Sequence, residues 1–283
     1  MNNKTKIRCY SDLHLDHYNG RFNVITGEPV WWTPPELPDD KETILILAGD
    51  IWTGTKWIEF AGHSWISKIA SRFKTVLVVL GNHDYWPCNS GGLSITKGGD
   101  KCNALLQDMG YHNVKVLDRD THTVSDILFV GATLWTDMDK GSPLAMMNMR
   151  SSMAYDSKCT YETIPWCNFT SERWVKTYCQ HRDYIKHVVE QNKDKKIVVI
   201  THHLPLLTMN DPRYIGDSDN CYYSSDLSEF ILDNPHIKMW ACGHTHHCYD
   251  EVFGETRMIN RSVGYVNEHK EQRGLISHDV FEL

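Results

Sequence analysis

The run Thr75-Val76-Leu77-Val78-Val79 leads into Leu80-Gly81-Asn82-His83-Asp84. An unbroken apolar stretch of this length predicts a buried strand. The glycine then opens a sharp turn, so an amide, an imidazole and a carboxylate are presented together at the strand end. The same build recurs along the chain. Ile7-Arg8-Cys9-Tyr10-Ser11 runs into Asp12-Leu13-His14, Ile44-Leu45-Ile46-Leu47-Ala48 into Gly49-Asp50, and Ile197-Val198-Val199-Ile200-Thr201 into His202. Last, Ile237-Lys238-Met239-Trp240-Ala241-Cys242 runs into Gly243-His244-Thr245-His246. In open α/β sheets the carboxyl ends of the strands share one edge, so groups far apart in sequence can converge in one cleft.

Because these five strand ends span residues 12 to 246 of 283, they point to one α/β domain, residues 1–283, rather than two. Hydrophobic content of 41% and charged content of 23% are those of an ordinary globular protein. A net charge of −7 argues against a broad surface for duplex nucleic acid, while a local cationic cleft remains compatible with a phosphate. The start, Met1-Asn2-Asn3-Lys4-Thr5-Lys6, has no signal-peptide pattern, and no apolar run approaches the ~20 residues that cross a bilayer. Nine scattered cysteines without a C-x-x-C pair suit free thiols in a reducing compartment, and a cytoplasmic protein is expected. Cys242 and Cys248, beside the last histidine cluster, are expected to pack in the core rather than to bind metal.

Between the strand ends, residues 19–42 carry Trp31, Trp32, Pro34, Pro35 and Pro38 and read as an irregular loop, its tryptophans lining the cleft or anchoring the loop on the core. Apolar residues at three and four from Thr55 to Phe73 predict a helix. Glycines from Ser90-Gly91-Gly92 to Gly98-Gly99 read as a mobile loop, since they lack the spacing of a nucleotide fingerprint. A short helix at 101–109 and strands at 114–117, 121–124 and 127–131 continue the sheet, with a turn at Asp118-Arg119-Asp120. Residues 138–169 are Met-rich and irregular, and a helix follows over 170–191 with Thr170 as N-cap and Trp174, Tyr178, Ile185, Val188 and Val189 along one face. Residues 136–192 together read as an insertion that caps the site. Short β runs at 248–253, 257–259, 263–266 and 275–281 close the chain. Early βα units followed by mostly β structure predict a two-sheet β-sandwich flanked by helices, an α/β/β/α architecture.

Asp12 and His14 are two apart, as are His244 and His246, so an extended backbone would point each pair to one face. With Asp50, Asn82 and His202 they make seven oxygen and nitrogen donors, more than one tetrahedral ion needs and suited to two ions sharing a bridge. No thiolate is among them, so Mn, Fe or Zn fits better than Mg or Ca. Two dications against the carboxylates of Asp12 and Asp50 leave a positive surplus that attracts a phosphate oxyanion and readies water for in-line displacement. His202 and His203 leave a strand toward opposite faces, so only one of them serves as a ligand.

Ser11-Asp12-Leu13-His14, Gly49-Asp50, Gly81-Asn82-His83-Asp84, His202 and Gly243-His244-Thr245-His246 resemble, in order and type, the five-block signature of the calcineurin-like metallophosphoesterase superfamily. Gly131-Ala132-Thr133-Leu134-Trp135-Thr136, Thr201-His202-His203-Leu204-Pro205 and Asp211-Pro212-Arg213-Tyr214 look like a bacterial and phage branch of phosphohydrolases. The resemblance implies two divalent or trivalent ions (Mn, Fe or Zn), the first held by Asp12, His14 and His246, the second by Asn82, His202 and His244, with Asp50 bridging. It implies attack by a metal-bridging hydroxide, with His83 as general acid, a role that an imidazole's ordinary pKa suits. Asp84 would be a catalytic partner that orients His83 or a neighbouring loop. His203, Arg213, Tyr214 and Arg261 are candidates for substrate contact.

Two departures narrow the expectation. Phosphoprotein phosphatases of the superfamily carry an arginine just before the Gly-Asn-His block, where this chain has Leu80, and the branch acting on lipid A precursors replaces the histidine at the position of His83 by arginine. A small phosphodiester or nucleotide is therefore the expected partner, with no membrane and no duplex nucleic acid. A phosphomonoesterase or protein phosphatase, a nuclease and a non-catalytic binding module are the alternatives.

Overall fold

A computed structural model of the protein describes residues 4–18, 31–59, 62–87, 92–160, 169–265, 268 and 280–283. Strands β1 (Lys6–Tyr10), β2 (Ile44–Ala48), β3 (Thr75–Val79) and β4 (Val114–Val116) pair in parallel, and the short β11 (Phe281–Glu282) joins β1 antiparallel, in the order β11-β1-β2-β3-β4. A second sheet runs β5 (Asp120–Val124), β6 (Ile127–Ala132), β7 (Lys196–Thr201), β8 (Ile237–Cys242), β10 (Thr256–Asn260), β9 (Tyr249–Phe253). Its middle pairs, β6/β7, β7/β8 and β8/β10, are parallel, and both edge pairs are antiparallel.

The two sheets stack face to face, which explains why the strands read as unbroken apolar runs. Ile44, Ile46, Leu77 and Val79 from the first sheet pack between the layers with Phe129, Val198, Ile200 and Met239 from the second. The alternate residues face outward under helices. Leu45, Leu47, Val76 and Val78 belong to the same core as Trp65, Ile66 and Ile69 of α1 (His63–Arg72), while Leu128, Val130, Val199 and Trp240 join Trp174, Tyr178 and Ile185 of a longer helix. This is the expected architecture of two sheets flanked by helices.

Several local expectations need correction. The helix over 55–73 is confined to α1, because the chain folds back at Gly62, whose N–H donates to the Lys56 carbonyl; a Cβ at Gly62 would sit 2.2 Å from that oxygen. Trp57 and Ile58 are buried in turns before it. Gly98 and Gly99 belong to no mobile loop but open α2 (Gly98–Asp108), where a Cβ at Gly99 would meet Asp118 Cβ at 2.5 Å; Ser90 and Gly91 lie outside the described residues. Strand β4 does not lead on within its own sheet, since the chain crosses to the second sheet before β5. The Met-rich segment is largely helical rather than irregular over its described part: after a left-handed turn labelled α3 (Met138–Gly141), with φ above +50° at Met138, Asp139 and Lys140, come α4 (Pro143–Ser152) and α5 (Ala154–Cys159). Residues 263–265 form no strand; Val263 N and Gly264 N donate to the carbonyls of Ser11 and Asp12, and Gly264 then turns with φ +70°.

Helix α6 (Ser171–Gln191) lies where expected, with Thr170 Oγ1 accepting from Arg173 N at 3.4 Å. The described part of the 19–42 loop, residues 31–42, is anchored rather than open to the cleft. Trp32 meets Tyr10 edge-on at 5.1 Å, Trp31 meets Trp52 at 4.8 Å, and the buried Arg8 guanidinium holds Asp40 at 2.7 Å. Cys242 is buried and Cys248 half-buried, with their thiols directed at the carbonyls of Ile259 and Ser262. Among the described residues no helix is long and apolar enough to cross a membrane.

Phe129 is fully enclosed between the sheets, so Phe129→Ala leaves a cavity that neither rigid layer can fill. The expected loss of unfolding free energy is about 3–5 kcal/mol, measured by urea denaturation; a loss below about 1 kcal/mol would contradict the packing.

Candidate metal centre

Three donor-bearing loops leave the first sheet, after β1, β2 and β3, and two leave the second, after β7 and β8. β1, β2 and β3 run parallel to one another, as do β7 and β8, so these loops meet at one rim of the sandwich. Their backbones are tied together there. Asp12 N donates to Gly49 O at 2.9 Å, His14 N to Asp50 O at 3.0 Å, Gly243 N to His202 O at 2.9 Å, and His244 N to both carboxylate oxygens of Asp12 at 3.0 Å. Small residues permit this approach. Gly49 has φ +91°, and a Cβ there would lie 2.3 Å from His202 Nδ1, while one on Gly243 would meet Ser11 Cβ at 2.6 Å.

The donors are aimed by turns, not by extended backbone. Asp12 (φ 54°), His14 (42°), Asp50 (55°), His244 (73°) and His246 (52°) all occupy the left-handed region, which non-glycine residues enter only at a cost. The expectation that i and i+2 side chains share a face through strand alternation is therefore replaced by a different geometry: Asp12 and His14 do fall in one donor group, but His246 joins them while His244 falls in another with Asp50 and His202. His14 Nε2 and His246 Nε2 stand 3.0 Å apart, and His246 Nε2 is 3.6 Å from Asp12 Oδ1. Across the site His202 Nε2 is 3.1 Å from Asn82 Oδ1. Asp50 lies between, its Oδ2 3.5 Å from His202, 3.8 Å from His14 and 3.9 Å from His83, while its Oδ1 accepts from His83 N at 2.9 Å. Donor atoms of Asp12, His14 and His246, of His14, Asp50 and His83, and of Asp50, His202 and His244 each lie within 4.8 Å of one another.

The hydrogen bonding of these rings fits a metal. His202 Nδ1 lies 2.8 Å from the Ala48 carbonyl, an oxygen that can only accept, so Nδ1 carries a proton and Nε2 is the atom left for the site. His246 Nδ1 is likewise taken by Glu268 Oε2 at 2.6 Å, the carboxylate–histidine arrangement that orients metal ligands. His244 Nε2 is buried and has no partner among the described residues, an omission that a cation would repair. Burial holds His14 and His244 well below the ordinary histidine range, which keeps their lone pairs available. Burial acts the same way on His202, but the Asp50 charge overrides it and raises this imidazole to about 9. Burial opposes ionisation of Asp50 too, yet the surrounding imidazoles of His202 and His83 hold its carboxyl well below the usual range.

The other sequence-level candidates separate. His83 lines the cleft, stacked on Trp86 at 3.6 Å. Asp84 does not touch the cleft; its buried carboxylate accepts from the backbone of Asp50 at 2.9 Å, Gly81 at 2.7 Å and Trp52 at 3.2 Å, so it clasps two donor loops together. His203 is fully buried beneath His244, ring centroids 4.2 Å apart, with Nδ1 3.3 Å from Thr133 O, a position that removes it from substrate contact. Arg261 is buried on the second sheet, donating to Asp250 at 2.6 Å, and is not part of the cleft lining. Arg213 and Tyr214 do line the cleft, Arg213 paired to Asp211 at 2.6 Å.

The cleft encloses about 580 Å³. Among the cleft residues that sequence reasoning missed are Trp86, Asp156, Tyr265 and Glu268. Tyr265 stacks on His14 at 4.3 Å, carried there by the turn after Val263. Trp86 stands two residues beyond Asp84 and was open to discovery as an aromatic beside a donor turn; Asp156 and Glu268 lie in stretches with no motif.

A two-layer sandwich with a carboxylate-, imidazole- and amide-lined rim at its strand ends defines the metallophosphoesterase class. The chain belongs to the calcineurin-like phosphoesterase family, whose pattern it matches over residues 5–248. An uncharacterized protein of Acanthamoeba polyphaga mimivirus, L509, is 26% identical over 288 residues, covering 98% of this chain and 97% of that protein. The crystal structure of phosphopantetheinyl hydrolase (PptH) from Mycobacterium tuberculosis shares the fold, with a TM-score of 0.66, 17% identity, and coverage of 100% of this chain and 97% of that one.

If Asp84 is a clasp, Asp84→Ala strips the acceptor from three buried N–H groups. An unfolding free energy lower by roughly 3 kcal/mol is expected in urea titrations; unchanged stability with lost turnover would instead mark Asp84 as a reacting group.

Proposed function

We propose that this protein is a metal-dependent phosphoesterase that hydrolyses small phosphodiesters or nucleotides with two ions, Mn, Fe or Zn. Asp12, His14 and His246 would hold the first ion, Asn82, His202 and His244 the second, and Asp50 would serve both. The observation that carries this reading is the place of Asp50, whose carboxylate belongs at once to a group with His14 and to a group with His202 and His244. When bound, two such ions lower the pKa of water and neutralise phosphoryl oxygens.

The chain supplies the rest. His83 Nε2 donates a proton to the departing oxygen; its backbone N–H is fixed by Asp50 Oδ1 and its ring rests on Trp86, which limits the ring to the cleft side. Tyr265 and Trp86, stacked on His14 and His83, keep water from these imidazoles. The substrate's outer part meets the end of α4 and the start of α5, where Ser152, the intervening Met153, Ala154 and Tyr155 line the cleft, so we assign the 136–192 region a capping role.

Charge supports a small substrate. The described outer wall includes Asp211, Asp217, Asp219 and Glu268 against Arg213, whose guanidinium is already paired to Asp211. An extended polyanion would be repelled there, whereas a single phosphoryl group reaches the positive centre alone. Because Arg213, the arginine among the described cleft residues, is already held by Asp211 and not free for a dianionic terminal phosphate, a diester is favoured over a monoester. The described cysteines are free, which suits a reducing, cytoplasmic compartment.

The test is a panel of mono-, di- and cyclic phosphate esters with metal-reconstituted protein. Bis(p-nitrophenyl) phosphate is expected to turn over faster than p-nitrophenyl phosphate, and the reverse order would establish a phosphomonoesterase. His83→Ala is expected to keep both ions by elemental analysis while kcat falls on the order of 10²-fold or more; loss of metal would make His83 a ligand instead.

A further inference from the structure

We propose that Asp156, delivered by α5, is a positioning residue that sets the orientation of the Asn82 amide and thereby the affinity of the second ion; the proposal rests on the ligand assignment above. An asparagine side chain keeps its shape when its oxygen and nitrogen exchange places, so packing alone does not decide which atom faces the site. The choice matters because an amide oxygen binds a cation and an NH₂ group repels it. Asp156 decides it by electrostatics. Its carboxylate is 2% exposed, and Asn82 Nδ2 donates to Oδ1 at 3.2 Å and to Oδ2 at 3.3 Å. An acceptor-only partner draws the NH₂ group outward and leaves Asn82 Oδ1 toward His202 Nε2, 3.1 Å away.

The carboxylate is itself pinned by a second donor, Trp86 Nε1, which reaches Oδ1 at 2.8 Å. That indole lies between the rings of His83, at 3.6 Å, and Tyr155, at 5.1 Å, so its plane is fixed by stacking as well. Asp156 therefore answers two donors at once and cannot turn away from Asn82 without leaving an indole N–H unpaired in the wall. Because Ser152, Met153, Ala154 and Tyr155, just ahead of it in the chain, also line the cleft, the segment that shapes the substrate's surroundings is the same one that orients a ligand. Cleft shape and ligand geometry are coupled through one helix.

The experiment titrates Mn(II) into wild type and Asp156→Asn, measuring both dissociation constants from free Mn(II) by electron paramagnetic resonance, with thermal unfolding alongside. An amide at 156 offers donors as well as an acceptor, so it no longer enforces one orientation of Asn82. The second site is expected to weaken by 10- to 100-fold, with the first site and Tm little changed. The exchange variant Asn82→Asp/Asp156→Asn is the decisive companion. Aspartate at 82 presents an oxygen in either orientation and the amide at 156 donates to it, so second-site affinity is expected to return. Wild-type affinity in Asp156→Asn, equal weakening of both sites, or no recovery in the exchange variant would each overturn the proposal. Failure of wild type to bind two ions would instead overturn the ligand assignment itself.

Discussion

The structure turns on one buried carboxylate surrounded by imidazoles. Asp50 Oδ2 stands 3.5 to 3.9 Å from the Nε2 atoms of His202, His14 and His83, in a site where burial removes most of the water that would otherwise solvate it. A lone carboxylate in that position is costly, and so are neutral nitrogens whose lone pairs converge. Positive charge reconciles them. The Asp50 charge raises the His202 imidazole against its burial, and the geometry of the grouped donors suits cations in the same place. The arrangement places electrostatic demand where a phosphoryl group would be received.

Holding such groups together requires a backbone that the local sequence would not choose. Five donor residues sit at left-handed φ, each at a cost of order 1–3 kcal/mol. The fold sustains this because the loops share hydrogen bonds across both sheets, Asp84 clasps the turns of β2 and β3, and Ser11 bridges to Ser262 from the other layer. The apolar sandwich below supplies the rigidity. Each inward-facing residue of one sheet rests on the other, so the rim cannot relax one loop at a time.

The sequence reveals the strands and the donor set because both are local signals: unbroken apolar runs end in Asp, Asn or His, and burial on both faces dictates the runs. What escapes it depends on distance. The change of sheet between β4 and β5 leaves no mark on Asp118-Arg119-Asp120, and the fold-back at Gly62 interrupts a helical periodicity that continues through Trp57 and Ile58. Asp84 looks like a member of the reacting group because it adjoins His83, yet its carboxylate points at backbone amides. Arg261 and His203 carry the right chemistry but face the interior. Asp156 and Glu268 reach Asn82 and His246 from 74 and 22 residues away, in stretches whose composition announces nothing.

On the proposed reading, Asp50 would join two cations into one unit. Electron paramagnetic resonance of protein loaded with Mn(II) reads this directly, because ions bridged by a carboxylate couple magnetically and distant ions do not. Two Mn(II) per chain with the multiline spectrum of an exchange-coupled pair is the predicted result. A single ion per chain, or two with the simple six-line spectrum of isolated Mn(II), would contradict the account.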